Sequence, residues 1–143
     1  ITFDYIDLLT LSVGQATVTR GHALAIEAIW RPQANRYRDT YLLEWRLVDP
    51  QGAVVQRWEE PLGSWAYPSG TWAPTLPVRQ LSQLTVEPTT ASGNYRLLLQ
   101  MLRNSDRQPV APRRSWWPLG AAASALPIDD GAVIAATVTV VEP

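Results

Sequence analysis

The sequence predicts an all-β fold, an immunoglobulin-like antiparallel β-sandwich of about seven or eight strands. Apolar side chains recur at every second position over most of the chain, as in the run from Leu24 to Trp30. Such alternation places one face of a strand on a core and the other toward water. The chain also contains 8 glycines and 12 prolines, which divide it at short intervals into segments of strand length.

Eight segments fit this alternation. The predicted strands span residues 2–9, 12–18, 23–31, 40–48, 53–60, 78–87, 94–103 and 132–142. Asp49-Pro50-Gln51-Gly52 predicts a tight turn, because proline fixes φ at its second position and glycine closes it. Strand 78–87 has no clear inward face, since apolar residues occupy both sets of alternate positions. Segment 119–126 is consistent with one turn of helix.

One local motif favours the immunoglobulin-like form of the sandwich. Gly93-Asn94-Tyr95 leads into the strongest predicted strand and resembles the tyrosine corner of these folds. Trp45 is the candidate core tryptophan. The chain has no cysteine, so we expect Ile26 and Leu97 at the positions of the usual disulfide.

Length and composition exclude several classes of function. A chain of 143 residues predicts a single domain, 1–143. Without cysteine or lysine, and with His22 as its one histidine, it has no thiol nucleophile, Schiff-base lysine or multi-histidine metal site. A net charge of −1 argues against nucleic acid as a partner. The sequence predicts no cofactor and no metal, and no stretch reaches the ~18 apolar residues of a membrane span.

The remaining candidates for catalysis are interpreted as structural or solvated. His22 lies in a turn with no nucleophile motif nearby, and Asp129-Asp130-Gly131 predicts a solvated turn before the last strand rather than a calcium site. The acidic pairs Glu59-Glu60 and Asp4/Asp7 are the alternatives for a hydrolase. The sequence therefore predicts a domain that is not an enzyme.

Two predicted connections are unusually long and rich in aromatic residues. They are the first long loop, 61–77, and the second long loop, 104–131. If the strands alternate in direction, both emerge with loop 32–39 at one end of the sandwich, which we call the aromatic end. Tryptophan, tyrosine and arginine are enriched at binding hot spots. The candidate binding residues are Trp65, Tyr67, Trp72, Trp116, Trp117, Arg113 and Arg114. Of these, Trp72 is expected to cap the sandwich.

The order of several motifs resembles a known family. They are a glycine turn before a strand that ends in tryptophan (19–30), a central hairpin (41–56), a Tyr-Pro…Trp loop (67–72) and a Gly-x-Tyr strand (93–97). In this order they resemble the C-terminal β-sandwich of bacterial membrane glycosyltransferases of the dolichyl-phosphate-mannose–protein mannosyltransferase type, and of related membrane proteins. The resemblance implies a non-catalytic, extracytoplasmic domain attached to a membrane enzyme.

Three functions remain open at this stage. The first is an accessory domain of a larger membrane-associated protein, which docks or positions substrate through the aromatic end. The second is a carbohydrate-binding module that stacks sugars on Trp65, Trp116 and Trp117. The third, and least favoured, is a hydrolase. The first residue is Ile1 rather than methionine, so we expect a piece of a longer protein. The expected partner is accordingly the remainder of that protein or a glycan.

Overall fold

The structure is a computed structural model that describes residues 1–34, 39–114 and 122–143. Apart from two short 3-10 helices, at 69–71 and 122–125, the regular structure of these residues is β-strand. The strands are β1 (Thr2–Phe3), β2 (Ile6–Val13), β3 (Thr17–Thr19), β4 (Ala23–Pro32), β5 (Tyr41–Val48), β6 (Val54–Pro61), β7 (Val78–Thr85), β8 (Gly93–Arg103), β9 (Pro109–Val110), β10 (Pro112–Arg113), β11 (Ile128–Asp129) and β12 (Ala132–Val141). The predicted all-β class is confirmed.

The strands form two sheets that enclose one main core. The first sheet has the order β10-β1-β2-β4-β7, and the second has the order β11-β12-β8-β5-β6. β3 runs parallel to β12, and β9 lies antiparallel beside part of β8. The strands that carry the two sheets pair antiparallel, as in β2–β4, β4–β7, β5–β8 and β8–β12. This is the sandwich of the predicted immunoglobulin-like type.

The two-residue alternation of the sequence becomes the inner faces of these sheets. Tyr41, Leu43, Trp45 and Leu47 of β5 are each fully buried in the main core. Ile26 of the first sheet is 2% exposed and Leu97 of the second is fully buried, so both fill the core as expected for residues at the disulfide positions.

β7 departs from simple hydrophobic alternation. Two of its inward positions hold the polar Gln80 and Ser82, whereas Leu81 between them is 61% exposed. Burying these polar groups is possible because both find partners on β6 and just beyond it. The Ser82 hydroxyl donates a hydrogen bond to the Glu60 carboxylate, and the Gln80 side-chain oxygen accepts a hydrogen bond of 3.0 Å from the backbone N–H of Gly63. The β7 face that the sequence left unassigned is therefore decided by a polar contact between the two sheets.

The first two predicted strands are divided differently from the expectation. Segment 2–9 contains a tight hairpin, because Phe3 pairs with Ile6 and leaves only Asp4 and Tyr5 in the turn. Asp4 has φ of 52°, a left-handed conformation that aspartate tolerates better than most residues. β2 starts after this hairpin and runs to Val13, through the predicted break near residue 10.

The tyrosine corner is present. Tyr95 lies at the start of β8, and its hydroxyl donates a 2.7 Å hydrogen bond to the backbone carbonyl of Ala91, four residues upstream. The bond fixes the loop that brings the chain from β7 into β8.

Tyr95→Phe is expected to lower the free energy of unfolding by about 0.5–1.5 kcal/mol, the net value of one such hydrogen bond. Urea denaturation monitored by circular dichroism measures the change. Tyr67→Phe is the matched control, because Tyr67 is 47% exposed and we expect its hydroxyl to contribute little. Equal losses in the two variants would contradict a stabilising corner.

Candidate functional site

The roots of the long loops meet at one end of the sandwich, as strand parity predicted. The backbone N–H of Thr75, near the end of the first long loop, donates to the carbonyl of Pro32 at 2.9 Å. The backbone N–H of Asn104, at the start of the second long loop, donates to the carbonyl of Thr40 at 2.9 Å. These bonds join both long loops to the two flanks of loop 32–39 and define the aromatic end.

The most prominent feature of this end is a tight turn that displays a tryptophan. Ser64 and Tyr67 exchange backbone hydrogen bonds of 3.2 and 3.3 Å, and Gly63 forms a β-bridge with Pro68. We call residues 63–68 the tryptophan turn. Trp65 lies at its tip with 74% of its surface exposed, and Tyr67 beside it is 47% exposed.

Trp72 holds the tryptophan turn from beneath. It is only 1% exposed, and its indole N–H donates a 3.1 Å hydrogen bond to the carbonyl of Tyr67. The Tyr67 and Trp72 rings lie 6.3 Å apart between centroids. The sequence predicts Trp72 both as a candidate binding residue and as a cap of the sandwich. Its burial supports the cap and corrects the binding role, because the ring offers no face to a ligand.

The two candidate arginines differ in what they do. The Arg114 guanidinium donates hydrogen bonds of 2.6 and 3.1 Å to the carbonyls of Ser124 and Leu126. It thereby ties the short helix 122–125 to β10, so its donors serve the fold. Arg113 is exposed. Trp116 and Trp117 lie outside the described residues, as does the segment from Asn35 to Arg38.

The structure adds one apolar residue to this end that the sequence analysis did not select. Leu76 is 59% exposed in the first long loop, four residues beyond the buried Trp72. Its neighbours Pro74 and Pro77 restrict the backbone there and leave the leucine at the surface. An isolated leucine in a loop carries no periodic signal, so only the proximity of two prolines pointed to its exposure.

The acidic residues considered for catalysis have structural partners. Asp7 is 2% exposed and accepts hydrogen bonds from Thr2 (2.8 Å), Arg31 (2.9 Å) and Gln33 (3.0 Å). These contacts occupy both carboxylate oxygens of Asp7, so neither oxygen is available to act as a general base.

Asp4 serves a second structural contact near the aromatic end. Its carboxylate accepts a 2.6 Å hydrogen bond from the hydroxyl of Tyr41, which lies in the core. Burial raises the pKa of Tyr41 well above its ordinary value, and the hydrogen bond to Asp4 raises it further. The phenol therefore stays protonated and donates, rather than acting as a base.

Glu59 and Glu60 point to opposite sides of β6 and do not form a catalytic pair. Glu59 is bound by the guanidinium of Arg107, and Glu60 accepts a 2.9 Å hydrogen bond from the indole N–H of Trp45. Within residues 1–34, 39–114 and 122–143, no three acidic or histidine side chains are grouped closely enough to hold a metal ion.

The remaining candidates lie in turns. His22 is exposed, and its backbone N–H closes a turn to Thr19. Asp130 and Gly131 have φ of 44° and 74° and form a two-residue hairpin between β11 and β12, in line with the predicted turn before the last strand.

Comparison with known proteins establishes the fold. No protein-family profile matches the chain, and no curated protein matches its sequence. The Niemann-Pick type C2 protein of the Japanese carpenter ant has a similar structure, with a TM-score of 0.52 and 8% identity over 98% of this chain and 96% of that one. The CARDB domain of a Pyrococcus furiosus protein, crystallised with di-metal ions, gives a TM-score of 0.45 and 15% identity over 99% and 93% of the two chains.

These findings define the class of protein: a β-sandwich domain of immunoglobulin-like architecture. At 8% identity the likeness concerns the fold and does not extend to a ligand. In the part of the chain that the structure describes, no helix has the length and apolar character needed to cross a membrane.

Proposed function

We propose that this β-sandwich is a non-catalytic docking domain that binds its partner through the aromatic end. The observation that carries the proposal is the 74% exposure of Trp65 at the tip of a turn that is itself anchored in the core. Water-exposed tryptophan of this kind gains free energy when a partner covers it, and tryptophan is the residue most enriched at binding hot spots.

The turn that carries Trp65 is held in a fixed conformation, which favours binding. The tryptophan turn is closed by backbone hydrogen bonds between Ser64 and Tyr67 and by the contact of Tyr67 with the buried Trp72. A partner therefore meets a turn whose backbone is already ordered. Preorganisation of this kind reduces the entropy lost on association.

The proposed non-catalytic role is supported by how the described polar groups of this end are used. Both carboxylate oxygens of Asp39 are occupied, by the backbone N–H of Thr40 at 2.8 Å and by the hydroxyl of Ser105 at 3.1 Å. Glu59 is held by Arg107. Catalysis needs a base free to take a proton from a nucleophile, and these side chains are instead committed to one another.

We further propose that the partner is the remainder of a larger, membrane-associated protein on the extracytoplasmic side. This follows the motif order from residue 19 to residue 97, which resembles the accessory sandwich of membrane glycosyltransferases. In that setting the domain docks on the membrane part of the protein or positions its substrate.

A glycan is the second candidate partner. Trp65 and Tyr67 present two exposed aromatic rings in one turn, which also contains the exposed, hydroxyl-bearing Ser64. Aromatic faces flanked by hydroxyl groups suit the apolar faces and hydroxyls of sugar rings.

Photocross-linking in the full-length protein, expressed in its host membrane, tests the docking role. With Trp65→p-benzoylphenylalanine we expect a cross-link to another part of the same protein, located by mass spectrometry of the peptides. Val55→p-benzoylphenylalanine is the matched control, because Val55 is 43% exposed on β6, away from the aromatic end. Equal cross-linking from positions 55 and 65, or none from 65, would contradict docking through this end.

A glycan array distinguishes the second candidate. Binding of the isolated chain to a defined glycan, abolished by Trp65→Ala and retained by Val55→Ala, replaces intramolecular docking with carbohydrate recognition. If no glycan binds, the carbohydrate-binding role is rejected, and the cross-linking experiment alone tests the docking role.

A further inference from the structure

β7 is an outer strand of the first sheet, and among the described residues no strand lies beside its second edge. Its other edge pairs with β4 in an unbroken register, from Val78 opposite Trp30 to Thr85 opposite Ala23. A long, regular edge strand presents backbone N–H and C=O groups that can pair with another chain.

The contacts of Thr85 show which backbone groups point outward. Its carbonyl accepts hydrogen bonds from the side chains of Gln56 (2.8 Å) and Trp58 (3.0 Å), both from β6 of the other sheet. The Thr85 carbonyl therefore points away from β4. Because backbone groups alternate along a strand, the same direction applies to every second residue. Those residues are Arg79, Leu81 and Gln83, and the described part of the chain provides their outward backbone groups with no partner strand.

The open part of the edge is short and centred on one residue. At Thr85 the edge is covered by the side chains of Gln56 and Trp58. At the other end Pro77 has no backbone N–H that could pair with another strand. The free segment is thus 79–83, with Leu81 at its middle. Leu81 is also 61% exposed on the outer face of the sheet.

β6, the outer strand of the second sheet next to β5, is protected against such pairing. β6 contains a bulge beside Val48 and carries the charged Arg57 and Glu59, and it ends at Pro61. Bulges, charges and prolines are the usual means by which edge strands avoid association. β7 has neither a bulge nor an internal proline, and its single charge, Arg79, is paired with Glu27 of the same chain.

We propose that β7 is a self-association edge, which pairs antiparallel with β7 of a second copy about a two-fold axis at Leu81. In this register Leu81 faces Leu81 of the second copy, and Arg79 faces the uncharged Gln83 of that copy on either side. No like charges meet, and the exposed leucines cover each other. The two-fold axis also uses the whole free segment of both chains, because that segment is symmetric about Leu81.

The size of the contact sets the strength to expect. Five paired residues in each chain cover far less area than a stable dimer requires, so the association is weak and depends on concentration. It is independent of the aromatic end, since none of the residues involved belongs to the tryptophan turn.

A single cysteine tests the register directly, because the natural chain has none. Outward-pointing residues that face each other across an antiparallel pair have Cα atoms about 5.5 Å apart, within the range that a disulfide spans. Leu81→Cys is therefore expected to form a disulfide-linked dimer under mild oxidation about ten-fold faster than Val55→Cys, since pairing raises the effective thiol concentration. Equal rates for the two variants would overturn the proposal.

Sedimentation velocity supplies a test that needs no oxidation. The natural chain is expected to show a rising sedimentation coefficient up to about 1 mM, the range in which weak complexes form. Leu81→Lys is expected to abolish this rise. The substitution places two lysines opposite each other across the two-fold axis, where they repel. Within each chain the residue opposite position 81 on β4 is still Glu27. The fold of the variant is checked by its thermal midpoint. A monomer at all concentrations, or association unchanged by Leu81→Lys, would reject self-pairing through β7.

Discussion

Replacing Trp72 with alanine is expected to lower the free energy of unfolding by about 3–5 kcal/mol, the range for truncating a buried tryptophan. The side chain is 1% exposed and belongs to the main core. Its removal leaves a cavity under the first long loop and deletes the indole hydrogen bond to the carbonyl of Tyr67. Urea denaturation of the variant and the natural chain measures the difference.

Trp65→Ala is the control for this substitution, because it removes the same side chain from the same loop. Trp65 is 74% exposed, so its truncation is expected to change stability by no more than about 0.5 kcal/mol. The two tryptophans thus separate stability from binding: Trp72→Ala is expected to destabilise the fold, and Trp65→Ala is expected to affect only the proposed docking contact. A stability loss that is similar in both variants would contradict the assignment of Trp72 as the anchor.

The core could be predicted from the sequence because side-chain alternation is a local property of a strand. In β5 the four alternate positions from Tyr41 to Leu47 are all fully buried, and Trp45 among them is the core tryptophan that was expected. The tyrosine corner was equally accessible, since Tyr95 bonds to a residue only four positions upstream. Local signals of this kind require no knowledge of the rest of the chain.

The inward face of β7 could not be predicted for the opposite reason. Gln80 and Ser82 are buried because Gly63 and Glu60 satisfy them, and those partners lie 17 and 22 residues away in sequence. A rule that places apolar residues inward cannot decide here, because Leu81 lies in one set of alternate positions and Leu84 in the other, and the structure exposes Leu81. A polar side chain can be buried only where it finds a hydrogen-bond partner, and the alternation of side chains carries no information about that partner.

The meeting of the long loops at one end could be predicted from the sequence, but the arrangement of residues within the loops could not. Strand direction alone brought the long loops to one end, and their backbone bonds to Pro32 and Thr40 place them there. The different roles of Trp65 and Trp72, however, depend on the tryptophan turn, whose ends are joined by the bridge between Gly63 and Pro68. Arg114 is a similar case, because its carbonyl partners at Ser124 and Leu126 lie 10 and 12 residues further along the chain, over a stretch whose sequence has no periodic signal.

Gly63→Ala is expected to disrupt the tryptophan turn more strongly than its size suggests. Gly63 has φ of 89°, a conformation that is strained by about 1–3 kcal/mol for other residues. In addition, a Cβ atom at this position would collide with the carbonyl oxygen of Tyr67 and lie 2.9 Å from the Trp72 ring. Both neighbours are held in place, so the turn must open and the bridge from Gly63 to Pro68 is lost.

Gly52→Ala separates the two causes, because Gly52 has the same φ of 89° but nothing within 4 Å of the added Cβ. Its loss of unfolding free energy measures backbone strain alone, and the excess in Gly63→Ala measures the collision. We expect that excess to come with a change in near-ultraviolet circular dichroism from Tyr67 and Trp72, and with loss of the Trp65 cross-link. Equal losses in the two variants would show that the turn adapts to the extra atom. The close approach of Gly63 to its two aromatic neighbours would then not be what holds Trp65 in position.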